Sequence, residues 1–184
     1  VELSADKAQY FEYTYTQPEG GKVYNKRQEG KEGALTGDIT ADFKDITSNV
    51  DGGALFNAAG NTLNISGDFL NNQIDNTGSG NVGGAIFNEG TLSLKGDMIG
   101  NHIVRDGLVG GGAIYNEEST AQITEIIGNY IGNYLVSKTT AAYGGAIINN
   151  SKAEIDKIEG KFIGNYLISN LNMNITTASG GGAI

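Results

Sequence analysis

One hexapeptide returns along the chain: GGKVYN at 20, GGALFN at 52, GGAIFN at 83, GGAIYN at 111, GGAIIN at 144, and a last GGAI at 181. Its third residues, Lys22, Ala54, Ala85, Ala113, Ala146 and Ala183, stand 32, 31, 28, 33 and 37 residues apart. Self-similarity at about 20 to 50 residues marks solenoids, propellers and arrays, in which one unit cannot bury its apolar face alone and stacks on copies of itself.

A second pattern lies inside each period, an aromatic residue or Met followed three residues later by Asn: Phe69 to Asn72, Met98 to Asn101, Tyr130 to Asn133, Phe162 to Asn165. In the first period Phe43 is followed by Ile46. Between the two patterns runs a short alternating segment that meets a glycine: LTGDITAD, TLNISGD, TLSLKGD, ITEIIGN and IDKIEGK. Each period thus holds three short extended segments parted by Gly, Asn and Asp corners, and no stretch has helical spacing. The expected fold is all-β: a right-handed parallel β-helix with three strands and about 30 residues per coil, about five coils in all, each strand pairing with its equivalent about 4.8 Å away. A propeller blade needs four antiparallel strands in about 40 to 45 residues, so the period is too short for one. Residues 20–184 are expected to form this helix, with an incomplete last coil begun at Gly180. Residues 1–19 do not match the repeat. Tyr10 to Tyr15 alternates like a strand, and the segment is expected to be a cap or the end of a preceding coil, because an open β-helix end is an unpaired edge.

Alternation assigns the faces. Ile74, Ile103, Leu135 and Leu167 are always aliphatic and are expected inside; the flanking columns, Gln73, His102, Tyr134, Tyr166 and Asp75, Val104, Val136, Ile168, face out. The same test puts Val23, Leu55, Ile86, Ile114 and Ile147 inside. Gly53, Gly84, Gly112 and Gly145, each after another glycine, let stacked backbones approach closely beside the small Ala54, Ala85, Ala113 and Ala146. The hexapeptide asparagines Asn25, Asn57, Asn88, Asn116 and Asn149 are expected to stack into an amide ladder, and Asn72, Asn101, Asn133 and Asn165 into a second. These roles are structural.

Alternation of GGAI or GGAL with F-x-x-N over residues 20–184 resembles the repeats of polymorphic outer-membrane proteins and related autotransporter passenger domains of Gram-negative bacteria, with a pectin-lyase-like β-helix. The resemblance implies a right-handed β-helix outside the outer membrane, commonly an adhesin, exported through a C-terminal β-barrel. The sequence departs from that pattern in two ways: it contains no translocator barrel, and Met98 and Tyr130 replace the family's Phe.

Composition narrows the partners. The 184 residues carry a net charge of −9, and Arg27 and Arg105 are the sole arginines. Nucleic acid and anionic membranes recruit clustered Lys and Arg, so both are disfavoured. No Cys is present, which removes disulfides, thiolate metal sites and a Cys nucleophile. The longest apolar stretch, Ala141 to Ile148, is interrupted by glycines and far short of the about 20 residues of a spanning helix, so no transmembrane segment is expected in this chain. A start at Val1 and a stop at Ile184 read as a piece of something longer.

Candidate chemistry is sparse, and no cofactor or metal is expected. His102, the sole histidine, falls in an outer ladder column. β-Helices also serve polysaccharide lyases and hydrolases, which need converging carboxylates. Asp68 and Asp97 occupy equivalent positions in successive coils, but Asn129 and Lys161 follow, which reads as a mixed polar ladder. Arg105 with Asp106 reads as surface charge in a variable loop. Thr40, Thr62, Thr91 and Thr124 do not share one column, against an ice-binding face. The segments between the second pattern and the next glycine pair vary most in length, and insertions in a solenoid map to one corner that often supplies the recognition surface. The expected function is therefore non-catalytic: an extracellular or surface-displayed adhesin or rod, contacting a protein or glycan of a host or neighbouring cell through that corner. Head-to-tail self-association is a further expectation, and a carbohydrate-active enzyme the alternative.

Overall fold

The computed structural model describes residues 11–15, 23–27, 36–48, 51–75, 82–107, 109–117, 121–138, 140–150, 152–169 and 181–184. Every regular element among these is a strand. The chain opens with β1 (Phe11–Tyr15) and β2 (Val23–Arg27), then β3 (Thr36–Thr40), β4 (Phe43–Lys44) and β5 (Thr47–Ser48). The next turn holds β6 (Leu55–Asn57), β7 (Thr62–Ser66), β8 (Phe69–Leu70) and β9 (Gln73–Ile74). It is followed by β10 (Ile86–Asn88), β11 (Thr91–Lys95), β12 (Met98–Ile99) and β13 (His102–Arg105), with β14 (Val109–Gly110) in the loop beyond. Then come β15 (Ile114–Asn116), β16 (Gln122–Ile127), β17 (Tyr130–Ile131), β18 (Tyr134–Ser137) and the loop strand β19 (Ala142–Tyr143). The last described turn holds β20 (Ile147–Asn149), β21 (Glu154–Ile155), β22 (Ile158–Glu159), β23 (Phe162–Ile163) and β24 (Tyr166–Ser169).

Equivalent strands pair in parallel, building a β-solenoid of about three turns from β6 to β20. A hexapeptide sheet runs β6, β10, β15, β20; a long-run sheet β3, β7, β11, β16, β21, with β22 also on β16; an aromatic sheet β4, β8, β12, β17, β23; and a post-asparagine sheet β5, β9, β13, β18, β24. Repeats stay in register: Leu55, Ile86, Ile114 and Ile147 are mutual neighbours, as are Phe69, Met98 and Tyr130. The register slips once, between Leu92 and Ser93, where the opposing strand carries the extra residue Thr124 and bulges.

The aromatic-to-asparagine segment, expected as one strand of three per coil, is broken into two strands belonging to different sheets. Its third residue lies in the left-handed region (Asn71 φ 54, Gly100 φ 66, Gly132 φ 60, Gly164 φ 61), which turns the chain between the aromatic pair and the asparagine. Each full turn therefore presents four short ladder strands. The two hexapeptide glycines have different tasks. The first adopts positive φ (Gly83, 72); a Cβ on the second, Gly84, would collide with the backbone carbonyl of Gly112 one coil on.

Parallel strands buried on one face leave that face to apolar columns. Phe43, Phe69, Met98 and Tyr130 stack inside the aromatic sheet, Leu63, Leu92 and Ile123 inside the long-run sheet, and Leu55, Ile86, Ile114 and Ile147 inside the hexapeptide sheet, all within one core. The Phe43 and Phe69 rings lie 4.4 Å apart and nearly parallel. A second, smaller cluster joins Ile74, Ile103, Leu135 and Ala142, with Leu167 packed on it. Burying each such aliphatic contributes about 1.5–3 kcal/mol over leaving it in water.

The first hexapeptide copy departs from the ladder. β2 pairs antiparallel with β1, Tyr13 opposite Asn25, and lies against β6. The side chains of Val23 and Asn25, the glycines at 20 and 21, and most of the expected cap at 1–19 fall outside the described residues.

Candidate functional site

The polar residues singled out by the repeat form two amide ladders. In the hexapeptide sheet Asn57 Nδ2 donates to Asn88 Oδ1, Asn88 to Asn116 and Asn116 to Asn149, each at 2.7 Å. Asn57, Asn116 and Asn149 Nδ2 also donate to the backbone carbonyls of Thr91, Glu154 and Ala153. At the turn after the aromatic pair, Asn101 Oδ1 accepts both the backbone N–H and Nδ2–H of Asn72, at 3.0 and 2.9 Å. Asn133 serves Asn101 in the same way, and Asn165 serves Asn133. Their Nδ2 groups reach back to the carbonyls of Phe43, Phe69, Met98 and Tyr130. Asn57, Asn72, Asn88, Asn101, Asn116 and Asn133 are fully buried, and the ladders emerge only at Asn149 and Asn165. Gly53, Gly84, Gly112 and Gly145, with Ala54, Ala85, Ala113 and Ala146, lie within the same stack and form its close-packed corner.

The carboxylate column is used the same way. Asp42 Oδ1 accepts the N–H of Asp68, Asp68 Oδ1 that of Asp97, and Asp97 Oδ1 both the N–H and Nδ2–H of Asn129. Each acid ties down the corner of the following coil. His102 sits on the outer face, its ring 4.5 Å from Tyr134 and 6° off parallel, with Tyr134 on Tyr166 at 5.0 Å. Its Nδ1–H donates to the Gly100 carbonyl. Thr62 and Thr91 do share a column with Thr36, whereas Thr40 stands beside Ser66 and Thr124 is the bulged residue.

The variable corner differs from expectation at Arg105, which is not surface charge: it ends β13 and is 3% exposed. The strand alternates, so Arg105 falls in phase with buried Ile103 and in column with Ser137 and Ser169. That phase was readable in His102-Ile103-Val104-Arg105, and the adjacent Asp-Gly turn hid it. The guanidinium donates from Nε to the Asp106 carbonyl, while Nη1 and Nη2 are buried without a hydrogen bond. Desolvation lowers its pKa, opposed by the charges of Asp51 and Asp106.

Asp51, at the entry to a glycine pair, accepts the Val82 N–H at 2.9 Å. Burial raises its pKa, the Val82 bond and Arg105 pull it down, and Glu117 pushes it up. Glu89 is raised by burial and by Glu117 and Asp51, against a backbone bond from Ala59. Three carboxylates and one buried cation thus share a field at this corner. Phe56, Phe87 and Tyr115 form a column on the outer face of the hexapeptide sheet, the first two rings tilted at 5.0 Å and the last two stacked at 5.6 Å. The loop strands β14 and β19 pair in parallel, and Gly110 lies close to Tyr115 and Ile148, so this loop lies over the aromatic column. The sequence pattern did not reveal that pairing, because loops of unequal length carry no periodic signal. The corner can offer carboxylates, aromatic edges and backbone polar groups to a partner; the stack itself uses up the chemistry of the ladders. Compared with protein-family models, curated proteins and solved structures, the chain matches none of them.

Proposed function

We propose that this chain is the β-helical passenger of a Gram-negative autotransporter-type protein, displayed at the cell surface or released from it, and that it acts without catalysis as an adhesin on a stiff rod. In this reading the helix is right-handed, with about 30 residues per coil and about five coils counted from the first hexapeptide to the last. One observation carries the proposal: length varies most at one corner, where Asp51, Arg105, β14 and β19 lie, and less at the corner between the hexapeptide and long-run strands, while the ladders hold register through Asn57, Asn88, Asn116 and Asn149. A solenoid that keeps its stack and varies one corner most is arranged to present that corner. Its partner is a protein or glycan on a host or neighbouring cell, and head-to-tail joining of copies lengthens the rod.

The test is adherence of protein-coated beads to cultured epithelial cells and to bacteria. Replacing residues 106–110 and 138–143 by short Gly-Ser turns should abolish adherence while leaving the β-sheet circular dichroism unchanged. Full adherence by that folded variant would refute the corner, and no adherence by the parent protein would refute the adhesin reading. The enzyme alternative gains nothing from Asp68 and Asp97, whose Oδ1 atoms each accept a backbone N–H of the next coil. Turnover of an acidic polysaccharide that Asp97→Asn abolished would restore it.

A further inference from the structure

Two outer faces of the solenoid differ in kind. On the long-run sheet the outward side chains are polar and bond to one another along the stack, Asn64 to Asp38 and Ser93 to Glu125. The post-asparagine sheet starts the same way, with Thr47 and Gln73 bonded to each other and Asp75 exposed. From β13 onward every outward position of its strands is apolar or aromatic: His102 and Val104, Tyr134 and Val136, Tyr166 and Ile168. Val104 has a coil on either side of it and is still 42% exposed, and Tyr166 and Ile168 are 42% and 47% exposed. None of the six is a carboxylic acid, Lys or Arg, in a chain of net charge −9, and the exposed Asp75, Asp106 and Lys138 border them. A sheet face open only to water carries polar side chains, whereas an apolar centre with a charged rim is the anatomy of an interface.

We propose that two copies of this chain pair side by side through this face, as a weak closed dimer in which both rods run the same way. The patch lacks the charge that would select a basic or acidic partner, and its rows lie one coil apart, about 4.8 Å, a spacing that another stack of parallel strands repeats. Turned half a revolution about an axis parallel to the rod, a second copy sets its tall His102, Tyr134 and Tyr166 column against the lower Val104, Val136 and Ile168 column, coil facing coil. By the exposures above the patch is on the order of 400 Å², as large as the biggest apolar patch of many monomers and about half of the roughly 800 Å² per partner of a standard interface, which makes the pairing weak. Both copies use the same sheet face, so the contact closes at two and is independent of adhesion and of end-to-end joining.

Sedimentation velocity of the whole chain, from micromolar to millimolar concentration, reads the pairing. The parent should pass from monomer to dimer and stop there. Val104→Lys with Val136→Lys, which puts two ammonium groups on each face, should remain monomeric with its β-sheet circular dichroism unchanged. Val104→Thr with Val136→Thr keeps the shape and branching of both side chains and should weaken the dimer by at least about tenfold. Asn64→Lys with Ser93→Lys adds the same charge to the polar face and should dimerise like the parent. A parent that stays monomeric to millimolar concentration, growth beyond two, a folded Val104/Val136 lysine variant that dimerises like the parent, or loss of the dimer in the Asn64/Ser93 variant would each overturn the proposal. A monomeric parent that floats with neutral phosphatidylcholine vesicles would assign the face to a lipid surface and overturn it as well.

Discussion

Tyr130 is the largest side chain in the interior column and has a hydroxyl with no partner. It stands between Met98 and Phe162, in a column that holds Phe in three other coils, Phe43, Phe69 and Phe162. Its ring lies 4.8 Å from that of Phe162 and 14° off parallel. Burial alone drives the phenol's pKa far above its usual value. Tyr130→Phe keeps the ring, the stacking and the apolar area, and removes the polar atom. An unsatisfied buried hydroxyl costs about 1–3 kcal/mol. The void left by one oxygen, about 15 Å³, returns about 0.4 kcal/mol at about 24 cal/mol per Å³. The net expectation is a gain of about 1–2 kcal/mol, or a thermal midpoint higher by about 2–8 °C for a chain of this size. Far-ultraviolet circular dichroism during heating, backed by urea titration, measures it. Tyr130→Leu, which loses the ring, should lower the midpoint instead. If Tyr130→Phe leaves the midpoint unchanged or lowers it, the hydroxyl is hydrogen-bonded in solution and the reasoning fails.

Gly84→Ala drives a methyl group into the Gly112 carbonyl of the next coil and should destabilise by about 2–4 kcal/mol, seen as an earlier urea midpoint; Gly132→Ala, which meets nothing nearby, costs only its positive φ, about 1 kcal/mol. Asn101→Ala strands the backbone N–H of Asn72 and the Phe69 carbonyl and removes one ladder bond each from Asn72 and Asn133, and should cost about 3–5 kcal/mol by the same titration, far more than Asn64→Ala on the exposed face. The carboxylates of Asp51 and Glu89 have folded pKa values raised above the unfolded ones, chiefly by burial, so the folded state holds their protons more tightly. They oppose folding at neutral pH, and that opposition fades as pH falls through their folded values toward the ordinary carboxylate range. Asp51→Asn should therefore raise stability at pH 7 more than near pH 4, where an ordinary aspartate is already half protonated, checked by urea midpoints at the two values; an equal change at both would exclude the linkage.

The repeat made the inward columns readable because each position was sampled four or five times: an aliphatic at Ile74, Ile103, Leu135 and Leu167 can only be a core column. The asparagine columns were legible for the same reason. The break after the aromatic pair was harder to see, since Asn71 gave no hint that Gly100, Gly132 and Gly164 mark a left-handed corner. The role of Asp42, Asp68 and Asp97 depends on where the next coil's N–H points at that corner, which spacing does not encode. Arg105 was misread because its loop setting outweighed its phase with Ile103. The pairing of β14 with β19 and the antiparallel β1–β2 ribbon lie where periodicity lapses. The partner of the corner is hidden for a related reason: hexapeptide fidelity reports stacking, and stacking is indifferent to what the loops touch.

The asparagine ladders also give the rod a direction. In both, each asparagine-to-asparagine bond runs from the Nδ2 of one coil to the Oδ1 of the coil that follows. Two rows of amide dipoles therefore run the same way along the axis, each polarising the next. The ends of such a stack are chemically unlike, one offering acceptors and the other donors. Two copies meeting like end to like end would oppose donor to donor or acceptor to acceptor, whereas unlike ends continue the row. Any growth of this solenoid, by folding coil upon coil or by joining molecules, is thus polarised, much as a filament is with a plus and a minus end.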